Sequence, residues 1–242
     1  SFAFAQTTII TNVQGYTLAD QQLKQFTAIQ FTDDKIDKLF IDGEVLPKSG
    51  QMTVIDGQGK TLLPGLIDAH GHILSYGLSL MQANLLGSLS EESAVKKAVN
   101  YAKANPDITW VQGQGWNQTQ WENTQFPTAK SLDKHFPNKP VFLRRVDGHA
   151  GWANTKAMEL AGITSATQSP TGGDIIRDDS GQPTGIFIDN AMDLITKSIA
   201  PLTKQEQKLV LKKALNKLVS FGLTSVHDAG IFTDNLELFK EL

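Results

Sequence analysis

The chain has 242 residues, 40% of them hydrophobic, which is enough for one large domain or two small ones with a sizeable core. Its formal net charge of -3, with acidic and basic residues interspersed, leaves no electrostatic footprint for nucleic acid. No apolar run approaches the ~18 residues of a membrane-spanning helix, and the absence of cysteine excludes disulfides, thiolate metal ligands and a cysteine nucleophile.

The first residues, Ser1-Phe-Ala-Phe-Ala-Gln6, carry a small-x-small pattern at Ala3-Phe4-Ala5 that resembles the end of a cleaved export signal. The expectation is a periplasmic or secreted protein; a cytoplasmic protein with a flexible start is the alternative. Four runs rich in β-branched and aromatic residues follow, at 7–13, 26–31, 38–41 and 52–55. Turn signals separate them at Asp33-Asp34, Asp42-Gly43, Ser49-Gly50 and Asp56-Gly57. Residues 1–62 are thus expected to form a small antiparallel sheet.

The stretch Leu62-Leu-Pro-Gly-Leu-Ile-Asp-Ala-His-Gly-His-Ile73 is an apolar run that ends in a His-x-His pair. Residues 66–67 read as a strand buried on both faces. In an extended strand, residues two apart share a face, so His70 and His72 can converge on one ion. Two histidines this close also occur as a simple hydrogen-bonded pair at a strand end. Asp68 shares the same face, either orienting the pair or making an ordinary strand-end hydrogen bond.

Beyond His72 the pattern becomes alternating strands and helices, an α/β arrangement of parallel βαβ units. Ser88-Leu-Ser-Glu91 has capping-box spacing ahead of a helix at 90–104, stopped before Pro106. A strand is predicted at 108–112, a short helix from Pro127 to Phe136, and a strand at 140–146. Asn154 is placed to cap a helix at 155–161, with Gly162 as its stop. Residues 172–189 break the rhythm and read as an inserted hairpin around Asp179-Ser-Gly181. Thr203-Lys-Gln-Glu206 is a second capping box, opening a helix that ends at Gly222, and a fourth strand follows at 223–227.

The string Pro64-Gly-Leu-Ile-Asp-Ala-His-Gly-His72 resembles the first barrel strand of the amidohydrolase superfamily. Trp110-Val-Gln-Gly-Gln-Gly-Trp116, Arg145-Val-Asp-Gly-His-Ala-Gly-Trp-Ala-Asn154 and Leu223-Thr-Ser-Val-His-Asp-Ala-Gly230 resemble its YtcJ-like branch, amidohydrolase family 3. The resemblance implies an α/β fold, a (β/α)8 TIM-type barrel of which residues 63–242 form about half. The hairpin near 172–189 would lie over its mouth, and the N-terminal strands would form part of a β-sandwich.

The resemblance further implies a metal-dependent hydrolase that attacks an amide or related C-N bond of a small molecule with metal-activated water. His70 and His72 match the family's ligands for a divalent metal, usually zinc. Asp189 stands near a position where relatives carry a glutamate and is a candidate acidic ligand, with a helix N-cap role as the alternative. His149, Trp116 and His227 are candidate substrate contacts, each with a packing or turn role as its alternative. The proton-transfer aspartate of the family has no counterpart here, so no catalytic residue is assigned. The four barrel strands predict that the remaining half comes from a longer chain or an oligomer, and residues 235–242 stop inside an amphipathic helical pattern. The competing reading is a non-catalytic half-barrel that binds or assembles with a partner.

Overall fold

A computed structural model describes residues 6–47, 50, 52–231 and 233–242, with the backbone alone at 233 and 234. The export-signal pattern at Ala3-Phe4-Ala5 and Ser49 of one predicted turn lie outside the described residues. The chain folds as two units, Ser1–Ile67 with Gly222–Ser225, and Asp68–Phe221 with Val226–Leu242.

The first unit is built on one sheet: β1 (Thr7–Ala19), β2 (Gln22–Phe26), β3 (Ala28–Thr32), β4 (Lys35–Phe40) and β5 (Thr53–Leu62). The order is β2-β1-β3-β4, with β5 also on β1. The β1–β5 pair is parallel, so the sheet is mixed and not antiparallel as predicted. Two local features hid this. A tight turn at Asp20 and Gln21 takes positive φ at both residues, the geometry of a two-residue hairpin, without the glycine that signals one in a sequence. The Asp56-Gly57 signal belongs to a bulge inside β5, where the register shifts opposite Asn12. The Asp56 carboxylate accepts from Asn12 Nδ2 at 2.9 Å and from the Gln58 N–H at 2.8 Å, which holds that bulge. Ile9, Ala28 and Phe40 form a small core beneath the sheet.

The second unit holds a six-stranded sheet. It contains β7 (Ala83–Asn84), β8 (Val111–Trp116), β9 (Val141–Arg145), β10 (Ala150–Ala153), β11 (Gly173–Arg177) and β12 (Pro183–Asp189), in the order β11-β12-β10-β9-β8-β7. β7, β8 and β9 run parallel, whereas β9–β10–β12–β11 are antiparallel. The hairpin predicted at 172–189 is present as β11 and β12, and it extends this sheet from β10. β8 begins three residues later than the predicted strand and runs on through Gly113 and Gly115 to Trp116. A Cβ at Gly113 would stand 2.8 Å from the Ala83 carbonyl oxygen, so the glycine is what allows β7 and β8 to approach.

Strand alternation gives this sheet two apolar faces. Val111, Val141, Leu143, Trp116, Trp152 and Ile186 enter one cluster with α2 (Glu91–Ala104) and α3 (Ala129–Asp133). Phe142 and Phe187 enter the other with α4 (Thr155–Leu160) and α5 (Met192–Thr196). Burying each such side chain is worth about 1.5–3 kcal/mol. The cap of α2 is Ser90, whose hydroxyl accepts from the Ser93 N–H; Ser88 instead donates to the Leu85 carbonyl, so the predicted Ser88–Glu91 box does not form.

A separate two-stranded sheet pairs β6 (Leu66–Gly71) with β13 (Leu223–Asp228). α1 (Ile73–Ser79) follows β6 and packs on α6 (Lys204–Val219), and α7 (Thr233–Lys240) closes the chain. Val210, Leu211 and Ala214 form the buried stripe of α6, and both halves of its predicted Thr203–Glu206 capping box are present. The expectation that residues 66–67 are buried on both faces fails in this chain. Leu66 is 55% exposed and Ile67 63% exposed, because β13 is the one strand that pairs with β6 among the described residues.

Candidate metal and substrate site

His70 is the penultimate residue of β6 and His72 the residue before α1, with Gly71 between them. Their ring centres are 5.3 Å apart with the rings nearly perpendicular, and both side chains are exposed. Two imidazoles bound through nitrogen at roughly 2.0–2.1 Å to one tetrahedral ion have ring centres about 5 Å apart. The pair therefore fits two positions of a divalent-metal site. Asp68 accepts the His70 N–H at 3.0 Å, so it acts on the backbone of the pair and not on an imidazole.

The loop after β13 supports His72 from the other side. The Asp228 carboxylate accepts from the Ile73 N–H at 2.9 Å and from the Gly230 N–H at 2.9 Å, tying the end of β13 to the first turn of α1. A Cβ on Gly230 would lie 2.7 Å from His72 Nδ1, and one on Gly71 would lie 2.5 Å from Val226 Cγ1. Both glycines are thus required by close approach. Asp228 and Gly230 line a small depression with His72, Ser75 and Asn235. His227 is exposed on β13, next in the chain to this carboxylate.

A second group gathers at the end of the six-stranded sheet. The Arg145 guanidinium forks onto Asp147, with Nε 3.0 Å from each carboxylate oxygen and the terminal nitrogen closing the second bond. That fork, aided by the His149 N–H at 3.0 Å, lowers the Asp147 carboxyl to about 2 from its ordinary 3.8. His149 Nδ1 lies 2.7 Å from Asp189 Oδ1, and the Asp189 N–H donates to the His149 carbonyl at 3.0 Å. Asp189 was expected as a ligand beside the histidine pair. Among the described residues no three His, Asp or Glu side chains gather closely enough to hold a metal, and Asp189 is engaged with His149 instead.

Trp116 is not available to a substrate. It is fully buried, its indole N–H donates to the Leu143 carbonyl at 2.8 Å, and it packs with Trp121, Trp152 and Phe126 at 6.0–6.4 Å between ring centres. The strand predicted at 108–112 stops short of Trp116, but β8 runs on to it, and as the last residue of β8 it faces the core. Of two further contributors, Gln118 had no sequence signal and Asn154 only part of one. Gln118 is 5% exposed with a buried Oε1 that no described group satisfies. Asn154, predicted as a helix cap, is fully buried and makes four hydrogen bonds, of which only the one from Ala157 is a cap.

The amidohydrolase family model matches residues 53–242. The chain belongs to the amidohydrolase family. Its similarity extends to YtcJ of Bacillus subtilis, provisionally named an amidohydrolase, at 35% identity over 70% of this chain and 32% of that protein. The chain is also 39% identical to protein LONG AFTER FAR-RED 3 of Arabidopsis thaliana over 72% of this chain and 30% of that protein. The N-substituted formamide deformylase of Arthrobacter pascens is 31% identical over 77% of this chain and 36% of that enzyme. The YtcJ-like motifs are thus borne out. This amidohydrolase chain spans about a third of the length of these three relatives.

The crystal structure of an uncharacterized metal-dependent hydrolase from Pyrococcus furiosus superposes with a TM-score of 0.67 at 22% identity, covering 98% of this chain and 47% of that one. That likeness gives the fold: α/β and TIM-barrel-like. In such barrels chemistry collects at the carboxyl ends of the parallel strands. In this amidohydrolase chain the histidine pair stands at that end of β6, Asp228 at that end of β13, and Arg145 at that end of β9.

Proposed function

We propose that the protein carrying this chain is a metal-dependent hydrolase of amide or related C-N bonds in small molecules. The observation that carries this is the His70–His72 pair, with ring centres spaced for one ion, at the carboxyl end of β6. His70 and His72 would hold a divalent metal, zinc in this reading, as two neutral nitrogen donors. A metal so held lowers the pKa of bound water to roughly 7 and polarises a substrate carbonyl.

The chain's own residues have separable tasks. Asp68 fixes the His70 backbone, while the Asp228–Gly230 turn and Gly71 fix the approach of His72. His149, in the turn between β9 and β10, and His227, near the end of β13, are both exposed and contact the substrate in this reading. Two donors fall short of the three protein ligands typical of catalytic zinc. The remaining ligands and the proton-transfer carboxylate come, in this reading, from outside residues 1–242, in a longer chain or an assembly. Residues 1–62 then form part of a β-sandwich and 63–242 the first half of the barrel, which would cover the exposed Leu66 and Ile67. The small-x-small start supports export to the periplasm or beyond.

The test is metal content by elemental analysis of the full protein, compared with a His70→Ala/His72→Ala double variant, alongside hydrolysis of an amide panel. At least one equivalent of metal, lost together with hydrolysis in the variant, is expected. Full metal content and undiminished turnover in the variant would refute the assignment.

A further inference from the structure

The His149–Asp189 contact joins two residues 40 apart in sequence, at the end of the sheet where β8 and β9 finish side by side. Its construction is more elaborate than a chance surface bond. Asp147, clamped by Arg145, accepts the His149 N–H, and the His149 carbonyl accepts the Asp189 N–H. Asp189 holds a left-handed φ of 47°, which among side-chain-bearing residues Asp and Asn adopt most readily. His149, in the β9–β10 turn, is thus held through its N–H by Asp147 and through its carbonyl and Nδ1 by Asp189 at the end of β12. The ring itself remains 72% exposed, with Nε2 unengaged by any described group. Gln118, with its buried unsatisfied Oε1, follows β8 at this same end.

A carboxylate has no proton to give, so in the neutral pair Nδ1 must be the donor and Nε2 must carry the lone pair. We propose that Asp189 is a positioning residue that fixes this tautomer of His149, and that the exposed Nε2 accepts the N–H of a secondary amide substrate. The tautomer half stands on the geometry alone; the substrate half rests on the hydrolase reading above. The substrate class follows from the donor requirement: an N–H-bearing amide satisfies Nε2, whereas a tertiary amide leaves it unpaired. Asp189 acts here through His149 and not as a metal ligand.

The test uses the full-length, metal-loaded protein labelled with 15N-histidine. Asp189→Gly removes the carboxylate while keeping the left-handed backbone free of strain, and Asp189→Asn checks that the turn itself is preserved. In the wild type, the 15N shifts of His149 should report protonated Nδ1 and bare Nε2; in Asp189→Gly they should move to the mixture of free imidazole. A wild-type ring protonated at Nε2 would overturn the tautomer half. In parallel, kcat/KM is compared for a secondary formamide and its N-methylated tertiary analogue. The wild type should favour the secondary amide by about tenfold, the value of one hydrogen bond of roughly 1.4 kcal/mol. His149→Ala and Asp189→Gly should each abolish that preference through KM, and the double variant should be no worse than either. An unchanged preference in His149→Ala would overturn the substrate half. Hydrolysis of neither amide by the wild type would overturn the hydrolase reading and the substrate half with it, while the 15N result still decides the Asp189–His149 assignment.

Discussion

Replacing Asn154 tests whether the buried polar network organises the sheet that carries His149. The side-chain oxygen accepts from the Val141 N–H at 2.9 Å and the Ala157 N–H at 3.0 Å, and the amide nitrogen donates to the Phe136 carbonyl at 2.9 Å and the Lys139 carbonyl at 3.0 Å. One side chain thus joins the start of β9, the end of β10, the first turn of α4 and the segment after α3. A helix cap alone is worth about 0.5–2 kcal/mol. Four hydrogen bonds, three of them buried and one partly so, at about 1 kcal/mol each give roughly 4 kcal/mol for Asn154→Ala, with water entering the vacated space keeping the loss from being larger. At roughly 2–4 °C per kcal/mol for a domain of this size, the melting temperature should fall by about 8–16 °C.

Asn154→Asp sharpens the test, because aspartate caps helices as well as asparagine does. It keeps both acceptor bonds but sets a carboxylate oxygen against the Phe136 and Lys139 carbonyls, so it should destabilise at least as much as alanine. Urea unfolding of both variants, with Thr203→Ala as an exposed capping control at about 1 kcal/mol, measures this. A neutral Asn154→Asp, or an Asn154→Ala no worse than Thr203→Ala, would refute the network and leave only a cap.

Other outcomes follow from the same geometry. Trp116→Ala should cost about 3–5 kcal/mol without a selective change in KM, as chemical denaturation and kinetics would report; a raised KM at unchanged stability would return Trp116 to the substrate. Gly230→Ala must displace His72, whose Nδ1 would be 2.7 Å from the new methyl, so metal affinity in a chelator competition should fall by about 10–100-fold, as for other groups that orient a ligand. Equal affinity would show that Gly230 does not seat His72. The Asp147 carboxyl is depressed in the folded protein, so its contribution is present above the unfolded value near 3.8 and lost as pH falls towards about 2. Acid unfolding followed between pH 4 and pH 2 should therefore be less steep in Asp147→Asn, and identical profiles would remove Asp147 from the network.

Much of this protein is readable from short stretches of chain. The His70-Gly-His72 pair, the Thr203–Glu206 box, the Asn154 cap and the 172–189 hairpin are local, because each is set by residues a few positions apart whose spacing and hydrogen-bonding chemistry already specify the geometry. The alternation of helices and strands points in the same way to an α/β fold. What the local pattern could not carry were decisions made by distant neighbours. Whether β5 lies parallel to β1, whether Trp116 faces a loop or a core, and whether Asp189 meets the histidine pair or His149 each depend on which strand comes to lie alongside. The exposed residues 66–67 make the point most simply: their apolar side chains were read correctly as strand, but burial belongs to the surrounding strands, and a sequence records a residue's preference for being covered without recording what covers it.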